Sequence, residues 1–158
     1  FFWRSCFARW CPWVSQNTQV LSEVGSKEEG ILISPSKWIR MMSNELQAGS
    51  FKVIAEARES GNVGIYRPNG SAHVQLIKRI LANVALEDIL WEAPKKPQQV
   101  WFLSQFGANV NLGNIGPNDL IPLECLRLGL RGDTFFDNLP EAMAEGVRQI
   151  PADEILDD

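Results

Sequence analysis

Lys52-Val53-Ile54-Ala55-Glu56 is a short apolar segment that ends on a glutamate and is followed by polar, glycine-containing sequence. Two similar segments, Val20-Leu21-Ser22-Glu23 and Ile89-Leu90-Trp91-Glu92, lie on either side of it, and the three glutamates are 33 and 36 residues apart. A helical pattern occupies each gap. This alternation is typical of βα units with parallel strands, and it predicts an α/β fold.

The three glutamates occupy the same position, the last residue of a predicted strand. Because parallel strands end on one rim of a sheet or barrel, we expect Glu23, Glu56 and Glu92 to lie close together. Each glutamate taken alone is as readily interpreted as a solvated loop residue. The shared position of all three favours a metal or acid/base site.

The composition is that of one globular domain: 158 residues, 45% hydrophobic and 22% charged. The net charge of −4 and the pI near 5.1 argue against a nucleic-acid-binding surface, although small anions need only a local cationic pocket. No segment has the layout of a signal peptide or the length of a membrane span, so we expect no membrane partner. Three cysteines do not form a disulfide framework, which favours a cytoplasmic location.

Four βα units are predicted in succession, and the nucleotide-binding pattern G-x-G-x-x-G is absent. The expected helices are 34–46, 73–84, 97–106 and 118–130, and a short fourth strand runs through 109–112. The chain is therefore interpreted as about half of a (β/α)8 TIM barrel at residues 18–136, with an atypical segment at 1–17 and a weakly held acidic tail at 137–158. Unpaired edge strands of such a half barrel predict a homo-oligomer.

Five motifs follow one another along this region. They are Ser22-Glu23-Val24-Gly25-Ser26-Lys27, Glu56-Ala57-Arg58-Glu59-Ser60-Gly61, Trp91-Glu92-Ala93-Pro94-Lys95-Lys96-Pro97-Gln98-Gln99, Asn109-Val110-Asn111-Leu112-Gly113-Asn114-Ile115 and Gly129-Leu130-Arg131-Gly132-Asp133-Thr134. In this order they resemble the phosphosulfolactate synthase family from about residue 20 to 135. The resemblance implies a (β/α)8 barrel of which this chain holds strands five to eight. Residues 1–17 lie outside the resemblance.

The reaction implied by the resemblance is the Mg²⁺-dependent addition of sulfite to phosphoenolpyruvate, which gives phosphosulfolactate on the way to coenzyme M or sulfolactate. Such an enzyme is a carbon–sulfur lyase. The resemblance implies that Lys27 is the acid that protonates carbon. Glu23, Glu56 and Glu92, at their shared position, are the candidate ligands of the Mg²⁺, and Glu56 is also a catalytic candidate. The isolated chain is expected to be inactive or nearly so, because half of the rim is absent.

Cationic and amide side chains near the strand ends are candidates for contact with the anionic substrates. Arg58 lies in a glycine-containing loop and suits phosphate, carboxylate or sulfite, and it is also a catalytic candidate; an ion pair with Glu59 or Glu92 is the structural alternative. Lys95 would add positive potential. Asn111 and Asn114 frame the last strand, where barrels commonly bind phosphate.

Other residues in the motifs have structural interpretations. Gln98 and Gln99 are expected to pack on a helix, and Arg131 with Asp133 to form an ion pair away from the catalytic rim. Two other functions stay open. One is a non-enzymatic relative of the plant heat-stress-associated proteins, and the other is a different enzyme that uses phosphoenolpyruvate on the same barrel.

Overall fold

The computed structural model describes residues 18–25 and 33–138. Strands and helices alternate along this part of the chain. The strands are β1 (Leu21–Val24), β2 (Lys52–Ala55), β3 (Ile89–Glu92) and β4 (Leu112–Gly113), and the helices are α1 (Pro35–Gln47), α2 (Val74–Leu81), α3 (Lys96–Phe106) and α4 (Leu120–Arg127). Short 3-10 helices lie at Leu86–Asp88, Pro117–Asp119 and Phe136–Asn138.

The four strands form one parallel sheet in the order β1-β2-β3-β4. Each strand thus pairs with its neighbour in sequence, and a helix forms every crossover. Four successive βα units in chain order are the construction of a (β/α)8 barrel, so the predicted fold class is confirmed for this half.

The sheet is packed on one face. Along β1, β2 and β3 buried residues alternate with more exposed ones, as the period of two in a strand requires. The buried set, which includes Val53 and Trp91, forms one core with the helix residues Trp38, Ile77 and Phe102. The opposite face presents Leu21, which is 46% exposed, and the half-buried Ile54 and Leu90. Within the described residues, helices therefore cover only one side of the sheet.

Local capping explains where the helices begin. The side chain of Ser34 accepts a hydrogen bond from the Lys37 N–H at 3.4 Å, and Pro35 occupies the first turn of α1. His73, the sole histidine, caps α2 by accepting from the Leu76 N–H through Nδ1. None of the helices in the described part of the chain is long and apolar enough to span a membrane.

The C-terminal part of this region differs from the prediction in two ways. The last helix spans only Leu120–Arg127, and the fourth strand starts at Leu112 rather than at 109. Beyond α4, the buried Thr134 hydroxyl donates to the Leu126 carbonyl at 2.7 Å and attaches the chain to that helix. The predicted tail beyond residue 138 lies outside the described residues, as does the segment 1–17.

Asp133 forms its ion pair with Lys96, at 2.7 Å, and not with Arg131. The hydrogen bond from Lys96 holds the pKa of the Asp133 carboxyl below its usual range, and Arg131 contributes only its charge. The prediction that Asp133 pairs with Arg131 is therefore wrong, because Asp133 pairs with Lys96. The pair that does form joins the start of α3 to the chain beyond α4.

Candidate active site at the carboxyl ends of the strands

Glu23, Glu56 and Glu92 meet at the carboxyl ends of β1, β2 and β3. Each contributes a carboxylate oxygen to a cluster in which these atoms all lie within 4.8 Å of one another. Glu56 is buried at 4% exposure, Glu92 is half-buried and Glu23 is exposed. The cluster thus has a closed side at Glu56 and an open side at Glu23. The predicted convergence of the three residues is confirmed.

A glycine directly after β1 makes room for the buried member of the cluster. Gly25 has φ of 144°, and a Cβ atom built on it would lie 2.4 Å from the Glu56 Cβ and 3.0 Å from the Trp38 ring. Because real Cβ atoms do not approach so closely, any side chain at this position would displace Glu56. The absence of a side chain at Gly25 therefore lets the Glu56 side chain pack directly against the backbone that follows β1.

Glu92 is held by backbone and amide donors. Its Oε2 atom accepts the Ala57 N–H at 2.6 Å and lies 3.5 Å from the Asn114 amide nitrogen. The same amide nitrogen is 3.4 Å from the Ala57 carbonyl. Asn114 has φ of 55°, a left-handed conformation that asparagine tolerates better than most residues. These contacts fix the Glu92 carboxylate against the start of the loop after β2.

Tyr66 joins the middle of that loop to β3. Its hydroxyl donates to the Glu92 carbonyl at 2.6 Å, and its ring is buried. Burial, and secondly the negative charge of Glu92, raise the pKa of the Tyr66 phenol well above its usual value. The phenol therefore stays protonated and remains a donor throughout the physiological pH range.

The carboxylate cluster has the donor chemistry of a hard divalent cation site. Oxygen ligands of Mg²⁺ lie about 2.1 Å from the ion, so opposite ligands are at most about 4.2 Å apart. The 4.8 Å that bounds the cluster is slightly larger. A small side-chain movement, or a metal-bound water in place of one direct contact, would fit all three glutamates to Mg²⁺. The residues present therefore fit this ion.

The cationic candidates lie at the surface near this rim. Arg58 is exposed, and within 18–25 and 33–138 it forms no salt bridge with Glu59 or Glu92, the structural alternative raised for it. Lys95 is also exposed, whereas Lys96 is paired with Asp133. Lys27 lies outside the described residues. Arg58 is therefore available to a ligand, whereas Lys96 is engaged in the ion pair with Asp133.

Asn111 does not reach the rim. Its amide donates to the carbonyls of Glu87 at 3.1 Å and Ile89 at 3.2 Å, next to the beginning of β3. Glu92 is three residues further along the strand, about 10 Å away. The structure thus corrects the prediction that Asn111 binds substrate, because its side chain stabilises the other end of the sheet. Asn114, by contrast, lies at the rim as predicted.

A cavity of about 430 Å³ lies at that other end, between β4 and α4. Its lining includes Leu90, Asn111, Glu124 and Arg127. The guanidinium of Arg127 donates to the carbonyls of Ala108 and Val110, so its hydrogen-bonding capacity is used in part by the backbone. The cavity contains none of the three rim glutamates and is separate from the candidate site.

Sequence reasoning did not find the residues that hold the site together. The Ala57 amide and the Tyr66 hydroxyl both bind Glu92, and neither contact has a signal in a strand or helix pattern. Tyr66 is the single tyrosine, within a glycine-rich loop, which is the one hint that the sequence offers. Gln98 and Gln99, which are predicted to be packing residues, are both buried, and their amides donate hydrogen bonds to backbone carbonyls.

The parallel sheet with alternating helices and the acidic rim are those of part of a (β/α)8 barrel. Residues 8–133 match the family described as (2R)-phospho-3-sulfolactate synthase (ComA). The chain belongs to the phosphosulfolactate synthase family. The match begins inside the segment 1–17, which sequence analysis had set apart from the barrel.

Three curated relatives carry the name phosphosulfolactate synthase. The protein from Methanothermobacter thermautotrophicus is 44% identical over 124 residues, which are 77% of this chain and 48% of the relative. The Bacillus subtilis protein is 44% identical over 74% of this chain and 48% of its own length. The Methanocaldococcus jannaschii protein is 40% identical over 73% of this chain and 47% of its own length. The chain spans about half the length of these relatives.

Proposed function

We propose that the protein containing this chain adds sulfite to phosphoenolpyruvate in a Mg²⁺-dependent reaction and releases phosphosulfolactate, which makes it a carbon–sulfur lyase. The observation that carries the proposal is the convergence of Glu23, Glu56 and Glu92 within 4.8 Å in a chain that belongs to this family. Its place would be the synthesis of coenzyme M or sulfolactate in the cytoplasm.

The chemistry requires charge stabilisation and one proton. The sulfite sulfur forms a bond to the methylene carbon, the electron pair of the double bond moves toward the carboxylate, and a proton is then delivered to the carbon that bears the phosphate. Mg²⁺ bound at the glutamates would supply electrostatic stabilisation for the negative charge that develops on the substrate carboxylate. The three glutamates would hold that ion, Glu56 from the closed side of the cluster.

The remaining roles fall to cationic and amide groups of this chain. Lys27 would deliver the proton to carbon, since a lysine ammonium can act as a general acid. Arg58 and Lys95 would bind the anionic groups of phosphoenolpyruvate and sulfite; the guanidinium of Arg58 is exposed and unpaired within the described residues, which supports this role. Asn114 would orient Glu92 at the edge of the substrate site.

The decisive experiment is incubation of the full-length protein with phosphoenolpyruvate, Mg²⁺ and a panel of nucleophiles that includes sulfite. Turnover with sulfite and with no other nucleophile of the panel, giving phosphosulfolactate, supports the proposal. Turnover with another nucleophile would identify a different phosphoenolpyruvate enzyme on the same barrel, and no turnover with any of them would favour a non-enzymatic relative. The 158-residue chain in parallel should give no detectable product.

A further inference from the structure

The long loop between β2 and α2, residues 56–73, carries Arg58 and has little secondary structure of its own. A single isolated bridge pairs Tyr66 with Ala72. A turn in which the Gly61 N–H donates to the Arg58 carbonyl at 2.7 Å shapes its first part. The backbone of Arg58 is therefore held from two sides, by Ala57, whose N–H binds Glu92, and by Gly61.

Glu92 and Asn114 hold the first residue after Glu56 in this loop, Ala57, and a third side chain from another element holds its two arms. Gln98, in the first turn of α3, is 4% exposed and donates through Nε2 to the Gly61 carbonyl at 2.8 Å and the Gly70 carbonyl at 3.0 Å. These two residues are on opposite arms of the loop. The Gln98 amide thus joins the two arms of the loop with its two N–H groups.

The oxygen of the same amide binds the backbone at Lys95, the other candidate cation. Gln98 Oε1 accepts the Lys95 N–H at 3.2 Å, at the residue that precedes α3. One planar amide therefore connects the backbone that carries Arg58 to the backbone of Lys95. Because the group is rigid, it sets the spacing between the two segments.

The loop is shaped to receive this amide. Gly61 has φ of 61°, and a Cβ atom built on it would lie 2.6 Å from Gln98 Nε2. Any other residue there would push the Gln98 amide away. The contact is therefore a close fit of backbone to side chain.

We propose that Gln98 is a positioning residue that sets the distance between Arg58 and Lys95 and thereby the affinity for the anionic substrates. The inference rests on the proposed function, since it assigns those two cations to substrate binding. Gln98 does not touch the rim glutamates through any of these bonds, so the Mg²⁺ requirement should not depend on it.

Gln99 provides a matched control on the same helix turn. It is buried to a similar degree, at 2% exposure, and its Nε2 donates to the Ala93 carbonyl at 3.1 Å. That bond stays inside the connection between β3 and α3 and does not reach the loop. Gln99→Met removes the same chemistry from the same helix without releasing Gly61 or Gly70.

The test compares Gln98→Met and Gln99→Met in the full-length protein. Gln98→Met loses three neutral hydrogen bonds. Because only part of that loss acts on the two cations, the KM for phosphoenolpyruvate and sulfite should rise roughly tenfold, with a smaller change in kcat and an unchanged Mg²⁺ dependence. Hydrogen exchange without substrate should accelerate at the amides of residues 58–72. Gln99→Met should show neither change.

Gln98→Glu serves if Gln98→Met does not fold, because a carboxylate keeps the acceptor for Lys95 and loses both donors to the loop. Unchanged exchange in the loop would overturn the inference, since Gln98 would not be holding it. Faster exchange with an unchanged KM would overturn the link to substrate. An inactive parent protein would instead contradict the proposed function, while the exchange data would still report on the loop.

Discussion

At the scale of single residues, the site is a shared rim of carboxylates with unequal surroundings. Glu56 is buried, Glu92 is tied to the Ala57 amide, and Glu23 is exposed. Three like charges so close together repel one another, and a bound cation removes that cost. The three positions should therefore respond differently to the loss of a charge.

Replacing Glu56 by Gln in the full-length protein should raise the Mg²⁺ concentration that gives half-maximal activity more than the same change at Glu92. The reason is that a hard cation favours charged oxygen ligands, and that Oε2 of Glu92 is already engaged by the backbone. Mg²⁺ titrations of activity for Glu23→Gln, Glu56→Gln and Glu92→Gln test this. Three curves that superimpose on the parent would show that the rim is structural.

Lys27→Ala in the full-length protein should lower kcat far more than it weakens substrate binding. Loss of a proton donor acting after sulfite attack removes about 2 to 5 kcal/mol of transition-state stabilisation. Lys27→Arg should not restore activity, because a guanidinium is too weak an acid. Steady-state kinetics of both variants against the parent decide the point, and an alanine variant with parental kcat would exclude Lys27 from the mechanism.

Gly25→Ala should destabilise the chain by about 1 to 3 kcal/mol, since it combines an unfavourable φ with a collision against Glu56. Gly49→Ala is the control for backbone strain alone, because Gly49 has φ of 105° and a Cβ there meets nothing within 4 Å. Urea unfolding should place Gly25→Ala below Gly49→Ala in stability. Equal midpoints for the two variants would mean that the collision is relieved without cost.

At the scale of elements, loops after the strands are attached to neighbouring strands and helices by side chains. Tyr66 attaches the loop after β2 to β3, and Gln98 attaches the same loop to α3. The ion pair of Lys96 with Asp133 joins exposed side chains, and such pairs contribute little to stability. The buried hydrogen bonds therefore hold the rim more firmly than the surface charges do.

Tyr66→Phe should lower stability at neutral pH by about 0.5 to 1.5 kcal/mol, the net value of one hydrogen bond. Folding raises the pKa of the phenol, so its contribution is complete below the unfolded value of about 10 and declines as pH rises further. Urea unfolding between about pH 8 and 11 should show a steeper alkaline loss in the parent than in Tyr66→Phe. Parallel pH profiles would show that the phenol is not protected in the folded state.

Sequence patterns were sufficient for the elements whose residues alternate or cap in a regular way. The strand-end glutamates, the serine cap of α1 and the histidine at the start of α2 are local signals. The last helix ends earlier than predicted because Gly129, with φ of 69°, turns the chain and the Leu130 N–H donates to the Cys125 carbonyl at 2.8 Å. The fourth strand was predicted to start too early because the carbonyls of Ala108 and Val110 accept hydrogen bonds from Arg127 of α4, a contact between distant residues. Asn111 was misassigned for the same reason, since its partners near the start of β3 are invisible to spacing.

At the scale of the whole molecule, the described part is a sheet with two edges and one uncovered face. Apolar side chains remain exposed along α4 and beyond it, among them Ile121 at 78%, Leu130 at 68% and Phe136 at 62%. Exposed apolar surface of this kind, next to unpaired strand edges, is typical of an interface with another part of a protein.

The 158-residue chain on its own should self-associate. Light scattering across a range of protein concentrations should give a mass above 17.7 kDa that increases with concentration. Ile121→Lys should reduce the association, because it places a charge at the most exposed large apolar side chain of residues 18–25 and 33–138 without touching the core. A monomer that melts cooperatively would show that the chain covers these surfaces itself.

Strand order in the described sheet equals chain order, so β2, β3 and β4 each pair with the strand that precedes them in the sequence. During synthesis, β2, β3 and β4 each emerge beside a partner that already exists, so none of these three described strands waits for one made later. Sheet growth of this kind proceeds from the amino-terminal side and exposes a new edge after each addition. Removal of β4 and α4 would consequently break no pairing among the first three strands, although it would take Leu123 and Leu126 out of the core that covers them.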